Sequence, residues 1–163
     1  MIRSAIAFLF LLTFPWRAAT ESELHEIIPS RAPVEKERIE TEFRTASAIT
    51  DGKGHYVAGV VLITAGYSAE GKYSHFFLTQ VPIQVDNLSL RPGKYVFGWQ
   101  HQEDALAVNF YEAETGKPLG TTTASRTSRI GRIESFHIYP PADGSLIQIG
   151  RFALHYKLTT NVQ

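Results

Sequence analysis

The sequence of 163 residues has no cysteine. That excludes disulfides, thiolate metal sites, a cysteine nucleophile and a lipid-modified cysteine behind a leader, so stability must come from packing and strand pairing. Neither sign of charge is in excess, with 16 Lys plus Arg against 16 Asp plus Glu, and no global basic field exists to hold nucleic acid. Long apolar runs are missing apart from residues 4–14. A helix of that length reaches only about half of the roughly 30 Å hydrocarbon core, so no membrane span is expected in the mature chain. Also missing are a G-x-S-x-G elbow, an H-E-x-x-H zinc helix, a phosphate-cradling glycine loop and any internal repeat.

What is present is a composition 44% hydrophobic and 12% aromatic, enough for one well-filled core in a chain of single-domain length. Arg3, the apolar run 4–14 and the exit Pro15-Trp16-Arg17-Ala18-Ala19-Thr20 read as an export signal over residues 1–19. A cut after Ala19 places Arg17 where a small residue is expected, and retention as an interfacial anchor is the alternative. Removal of Arg3 and Arg17 leaves 14 basic against 16 acidic residues. Residues 20–36 read as an extended lead-in and 37–160 as a single domain, placed in a periplasm or extracellular space.

Period-two alternation dominates the rest. Ile39, Thr41, Phe43 and Thr45 alternate with charged residues, as in a strand with one wet face, a helix over 34–44 being the alternative. Folding about Asp51-Gly52 sets Thr41 opposite Leu62 and Phe43 opposite Val60. The segment 57–63 is apolar on both parities, so it reads as a central strand covered on both sides. Turns at residues 91–94 and 101–104 divide three stretches. Leu90 then faces Tyr95 and Leu88 faces Phe97, and an even-length second loop pairs Trp99 with Leu106 and Phe97 with Val108. On this register Tyr95, Phe97 and Trp99 are core rather than a sugar-stacking strip, and Lys94, Val96, Gly98, Gln100, Ala105, Ala107 and Asn109 form a flat opposite face. In the last run a bulge at Gly150 would keep Ile147, Ile149, Phe152, Leu154, Tyr156 and Leu158 inward.

Nine or ten short strands with frequent turn signals predict an all-β, antiparallel two-sheet sandwich, Ig-like or jelly-roll-like, with a small β-barrel as the alternative. The phrases Leu90-Arg91-Pro92-Gly93-Lys94-Tyr95 and Thr115-Gly116-Lys117-Pro118-Leu119 resemble turns of small extracellular sandwiches that include carboxypeptidase regulatory-like domains, in reversed order. The resemblance implies architecture and no function.

For chemistry, the four aspartates, Asp51, Asp86, Asp104 and Asp143, all sit at turn signals where their side chains can bond local backbone. Ser68 lacks the glycine and the helix that would make it a nucleophile. Glu112 and Glu134 are the carboxylates a glycosidase reading would use. His75, His137 and His155 are weak metal candidates, since no close spacing supports them, and no cofactor is expected. Arg126, Arg129 and Arg132 form the one local basic concentration; on a loop they suit an anion or acidic partner, whereas on a strand they would point to alternating faces. These features favour an exported, non-catalytic module binding a protein or envelope polymer through its surface. A small-ligand or carbohydrate-binding domain is the alternative, and a hydrolase or metal enzyme built from distant strands is third.

Overall fold

The computed structural model describes residues 15–67 and 71–159. Among these residues thirteen strands follow in chain order: β1 (Arg17–Ala18), β2 (Arg31–Val34), β3 (Glu37–Thr50), β4 (Tyr56–Leu62), β5 (His75–Thr79), β6 (Ile83–Val85), β7 (Leu88–Leu90), β8 (Gly93–Gln102), β9 (Ala105–Glu112), β10 (Pro118–Arg126), β11 (Glu134–Ile138), β12 (Leu146–Gly150) and β13 (Phe152–Leu158), with one α-helix, α1 (Glu21–Ile27), after β1 and a 3-10 turn, Pro141–Asp143, before β12. Among the described residues no helix is long and apolar enough to cross a membrane.

All pairings are antiparallel, and the sheet runs β1-β3-β4-β5-β8-β9-β10-β13-β12-β11. It curls until β11 returns to β3, where the Ile138 backbone N–H donates to Ser47 Oγ at 2.9 Å. The all-β antiparallel expectation therefore takes its barrel form, one nearly closed sheet in place of two facing sheets. Gly59 is what lets the ends meet, because a Cβ there would lie 2.5 Å from the Phe136 ring of β11. Inside the barrel Ile49, Val57, Phe77, Phe97, Val108, Phe110, Ile147 and Leu154 form one core. A second layer covers the outer face of β3, β4, β5 and β8, where Ala58, Val60, Phe76 and Val96 are buried beneath β2 and α1. Strand β4 is thus apolar on both parities for the reason its sequence indicates.

Several registers differ from expectation. Thr41 does oppose Leu62, but the pairing then slips, and Ser47 opposes Gly59. The Thr45 hydroxyl fills the break, donating to the Glu42 carbonyl at 2.7 Å and accepting from the Val61 N–H at 2.9 Å. Phe43 therefore has no ladder partner at Val60, and the hairpin loop spans residues 51–55, with Asp51 Oδ1 accepting from Lys53 and His55 backbone N–H groups. The loop between β8 and β9 is even, as parity requires, but the hairpin is centred one residue later, on Glu103-Asp104, pairing Trp99 with Val108 and Phe97 with Phe110. Strand β7 pairs with β6, not β8. At Gly150, whose φ is +61°, the chain makes a two-residue turn joining β12 to β13, with Ile149 opposite Phe152. A hairpin, not a bulge, performs the parity switch.

The expected lead-in is folded. Thr20 caps α1 through a reciprocal capping box with Glu23, and β2 pairs with β3. The leader's expected exit is also folded, since Arg17 and Ala18 pair with Thr50 and Ile49, and Trp16 rests on the core. Arg17 holds Glu23 with two bonds of 2.7 and 3.1 Å. That guanidinium, helped by the Thr20 N–H, keeps the Glu23 carboxyl down at about 2. The apolar run 4–14 lies outside the described residues.

Candidate functional site

The barrel has two ends. One carries the loop 51–55 and the turn from β9 to β10; the other carries the ends of β4 and β8, the start of β9, the end of β10 and the β12–β13 turn. Of the large apolar side chains left exposed, Ile63, Trp99 and Ile133 fall at this second end. Trp99 shares the inward parity of Phe97 but sits beyond the depth at which the barrel is filled. It is 39% exposed whereas Phe97 is fully buried, so the expectation that Trp99 is core is corrected, while Tyr95 and Phe97 keep it. Its ring meets His101 edge-on at 5.1 Å, and His101 meets Phe152 at 6.0 Å. The supposed flat opposite face is not a free surface. Val96 and Ala107 are buried, and a Cβ on Gly98 would lie 2.0 Å from the Lys72 carbonyl oxygen.

Arg126 ends β10 at this rim, opposite Phe152, and its guanidinium lies over the Phe152 ring at 5.3 Å. Beside it, Arg126, Thr127, Ser128, Ile130, Ile133 and Arg151 line a hollow of about 340 Å³. Arg129 and Arg132 lie on the loop after β10 and are exposed, outside the lining of that hollow. Arg126 is thus the last residue of β10, and Arg129 and Arg132 lie on the loop that follows it, so the three do not sit on alternating faces of one strand. The loop is tied down where Thr127 Oγ1 accepts from the Arg129 N–H at 3.1 Å, Gln148 Nε2 donates to the Arg132 carbonyl at 2.8 Å and the Gly131 N–H donates to Tyr139 Oη at 3.3 Å. None of Arg126, Arg129, Arg132 and Arg151 forms an ion pair with a described carboxylate, although Glu103 and Asp104 turn the chain at the same end. Four guanidinium groups without a described carboxylate partner, one of them over an aromatic ring, suit carboxylate, sulfate or phosphate groups.

The other candidates do not converge. His75 is inside the barrel, stacked on Phe97 at 4.6 Å, with Nδ1 2.7 Å from Ser74 Oγ and Nε2 buried without a partner. Burial holds its pKa down at about 4 against a weaker upward pull from the Ser135 backbone. His137 faces Glu134 at 3.3 Å, and His155 is exposed on β13. Among the described residues no group of three His, Asp or Glu could hold a metal ion. Glu112 and Glu134 lie at opposite ends of the barrel, and Ser68 lies outside the described residues. Asp51 caps its loop as its turn signal implies, but Asp86 does not: its Oδ2 is buried with no partner. Sequence reasoning missed Arg151, which is isolated in the chain and joins the cluster only through the β12–β13 turn, and it misjudged the depth of Trp99.

Comparison with protein families, curated proteins and solved structures found no match.

Proposed function

We propose that the protein is an exported, non-catalytic binding module that takes an acidic envelope or extracellular polymer on the arginine-bearing end of its barrel. The observation that carries this reading is Arg126 over the Phe152 ring beside Arg151, without a carboxylate partner among the described residues, at the same barrel end as exposed Trp99 and Ile133. The contact with the Phe152 ring restrains the guanidinium, which has no carboxylate partner among the described residues, so less freedom remains to be lost when an anionic group docks. Trp99 offers an apolar face to the backbone of the same polymer. The export part of the reading rests on Arg3 and the apolar run 4–14 in the sequence.

Titration with polygalacturonate, with dextran as the neutral control, tests it. Binding to the acidic polymer should weaken as salt is raised and fall at least about tenfold in the Arg126→Gln/Arg151→Gln double variant. Equal binding to dextran, or a double variant that binds like the parent, would overturn the reading.

A further inference from the structure

The stretch that the sequence marks as the exit of a leader is built into the barrel. Trp16 rests on the core, Arg17 and Ala18 pair with Thr50 and Ile49, and the Ala19 N–H donates to the Ala48 carbonyl at 2.9 Å. Arg17 also forks onto Glu23, whose Oε2 accepts from Tyr56 Oη at 3.2 Å as well. A cut after Ala19 would strip the finished fold of every contact made by residues 15–19.

The same arginine makes that cut a poor one. A leader is removed where small side chains stand one and three residues before the scissile bond, and for a cut after Ala19 the second of these positions is Arg17. Moving the cut one residue back puts Trp16 there instead, and residues 8–14 are all Phe, Leu or Thr, so no small-residue exit precedes Pro15. Packing and cleavage chemistry thus converge independently on residue 17.

We propose that the apolar run 4–14 is retained as an interfacial lipid anchor, which holds the barrel on a membrane surface with its arginine rim directed away from the lipid. This rests on the export part of the reading above. A run too short to span a bilayer can still bury Phe8, Phe10, Phe14 and its leucines at the headgroup boundary, and Arg3 adds attraction to anionic lipid. The direction follows from β1. Arg17 lies opposite Thr50, the last residue of β3, so the chain before Arg17 leaves the barrel beside the loop 51–55, at the end opposite Arg126 and Arg151. Only Pro15 separates the run from Trp16, so that end is held close to the lipid and the rim stands free for its polymer.

The full chain, expressed with its own leader in a bacterial host, should have the intact mass of the uncut chain; an N-terminus at Thr20 would overturn the proposal. Flotation with vesicles of phosphatidylcholine and phosphatidylglycerol should carry the full chain and leave a chain beginning at Pro15 behind, and equal behaviour of the two would overturn it as well. Arg17→Ala supplies the missing small residue and should yield a cut chain beginning at Thr20 that no longer floats, whereas an uncut variant would refute the role given to Arg17. Since the chain has no cysteine of its own, an environment-sensitive dye can be placed on Lys53→Cys or on Ser128→Cys. On vesicles the dye at 53 should shift to the blue and the dye at 128 should not; the reverse would make the rim the lipid-binding surface and overturn the orientation. Protease added to spheroplasts checks export separately, so a sheltered chain counts against the reading above and an exposed, cut chain counts against this one.

Discussion

Acid should unfold this protein through His75 before most carboxylates begin to matter. In the barrel His75 stays neutral down to about 4, against 6.5 for an ordinary histidine, so between these values the unfolded chain binds a proton that the fold refuses. The contribution is complete above pH 6.5 and is lost as the pH falls towards 4. At about 1.4 kcal/mol for each pKa unit, the loss at pH 5 is roughly 2 kcal/mol. Urea unfolding followed by tryptophan fluorescence reads it directly, because at a slope of about 2 kcal/mol/M the midpoint should drop by about 1 M between pH 7 and pH 5. His75→Phe provides the control. The ring keeps its place against Phe97, Ser74 Oγ still has the Phe97 carbonyl at 3.2 Å, and the titration is gone, so the midpoint of this variant should be nearly flat over that range. An equal drop in both proteins would refute the burial argument.

Three further outcomes follow from the same packing. Phe97→Ala should cost about 3–5 kcal/mol whereas Trp99→Ala, whose ring is partly exposed, should cost distinctly less, about 1–2 kcal/mol, a contrast that melting temperatures resolve. A chain beginning at Thr20 loses β1, the Trp16 contact and the Arg17–Glu23 fork; thermal unfolding should show it about 1–2 kcal/mol less stable than one beginning at Pro15, and equal stability would mean that β1 contributes nothing. Gly98→Ala sets a methyl against the Lys72 carbonyl oxygen, a backbone atom that cannot swing away, and should cost about 1–3 kcal/mol by denaturant titration.

Much of the fold was legible because its signals are local. Period-two alternation marks the strands, and parity placed Phe97 inward and required an even loop before Ala105. Turn residues likewise located the loops after Thr50, Gln102 and Glu112, but the hairpin expected at 91–94 does not form and the one at Gly150 was expected as a bulge. What failed depends on atoms far apart in the chain. The slip in β3 rests on the Thr45 hydroxyl replacing a backbone partner for Val61, and a threonine in an alternating strand carries no mark of that. Barrel closure depends on Phe136 finding the gap at Gly59, some seventy-seven positions earlier in the sequence. Trp99 shows that parity fixes the face a side chain takes but not how deep along the strand the core extends. At the site, Arg126 and its two neighbours were visible as a run, whereas Arg151 reached them only through the last hairpin. Asp86 sat at a turn signal like that of Asp51, and only the fold shows that one carboxylate caps its loop while the other is left without a partner.

The most direct measurement of the central claim is a chemical-shift map of the labelled protein with polygalacturonate at low salt. The account predicts that the largest changes fall on the Trp99 indole, Arg126, Arg151 and the loop 127–133, and that they disappear as salt is raised. Changes confined to the opposite end of the barrel, or none at all, would contradict it.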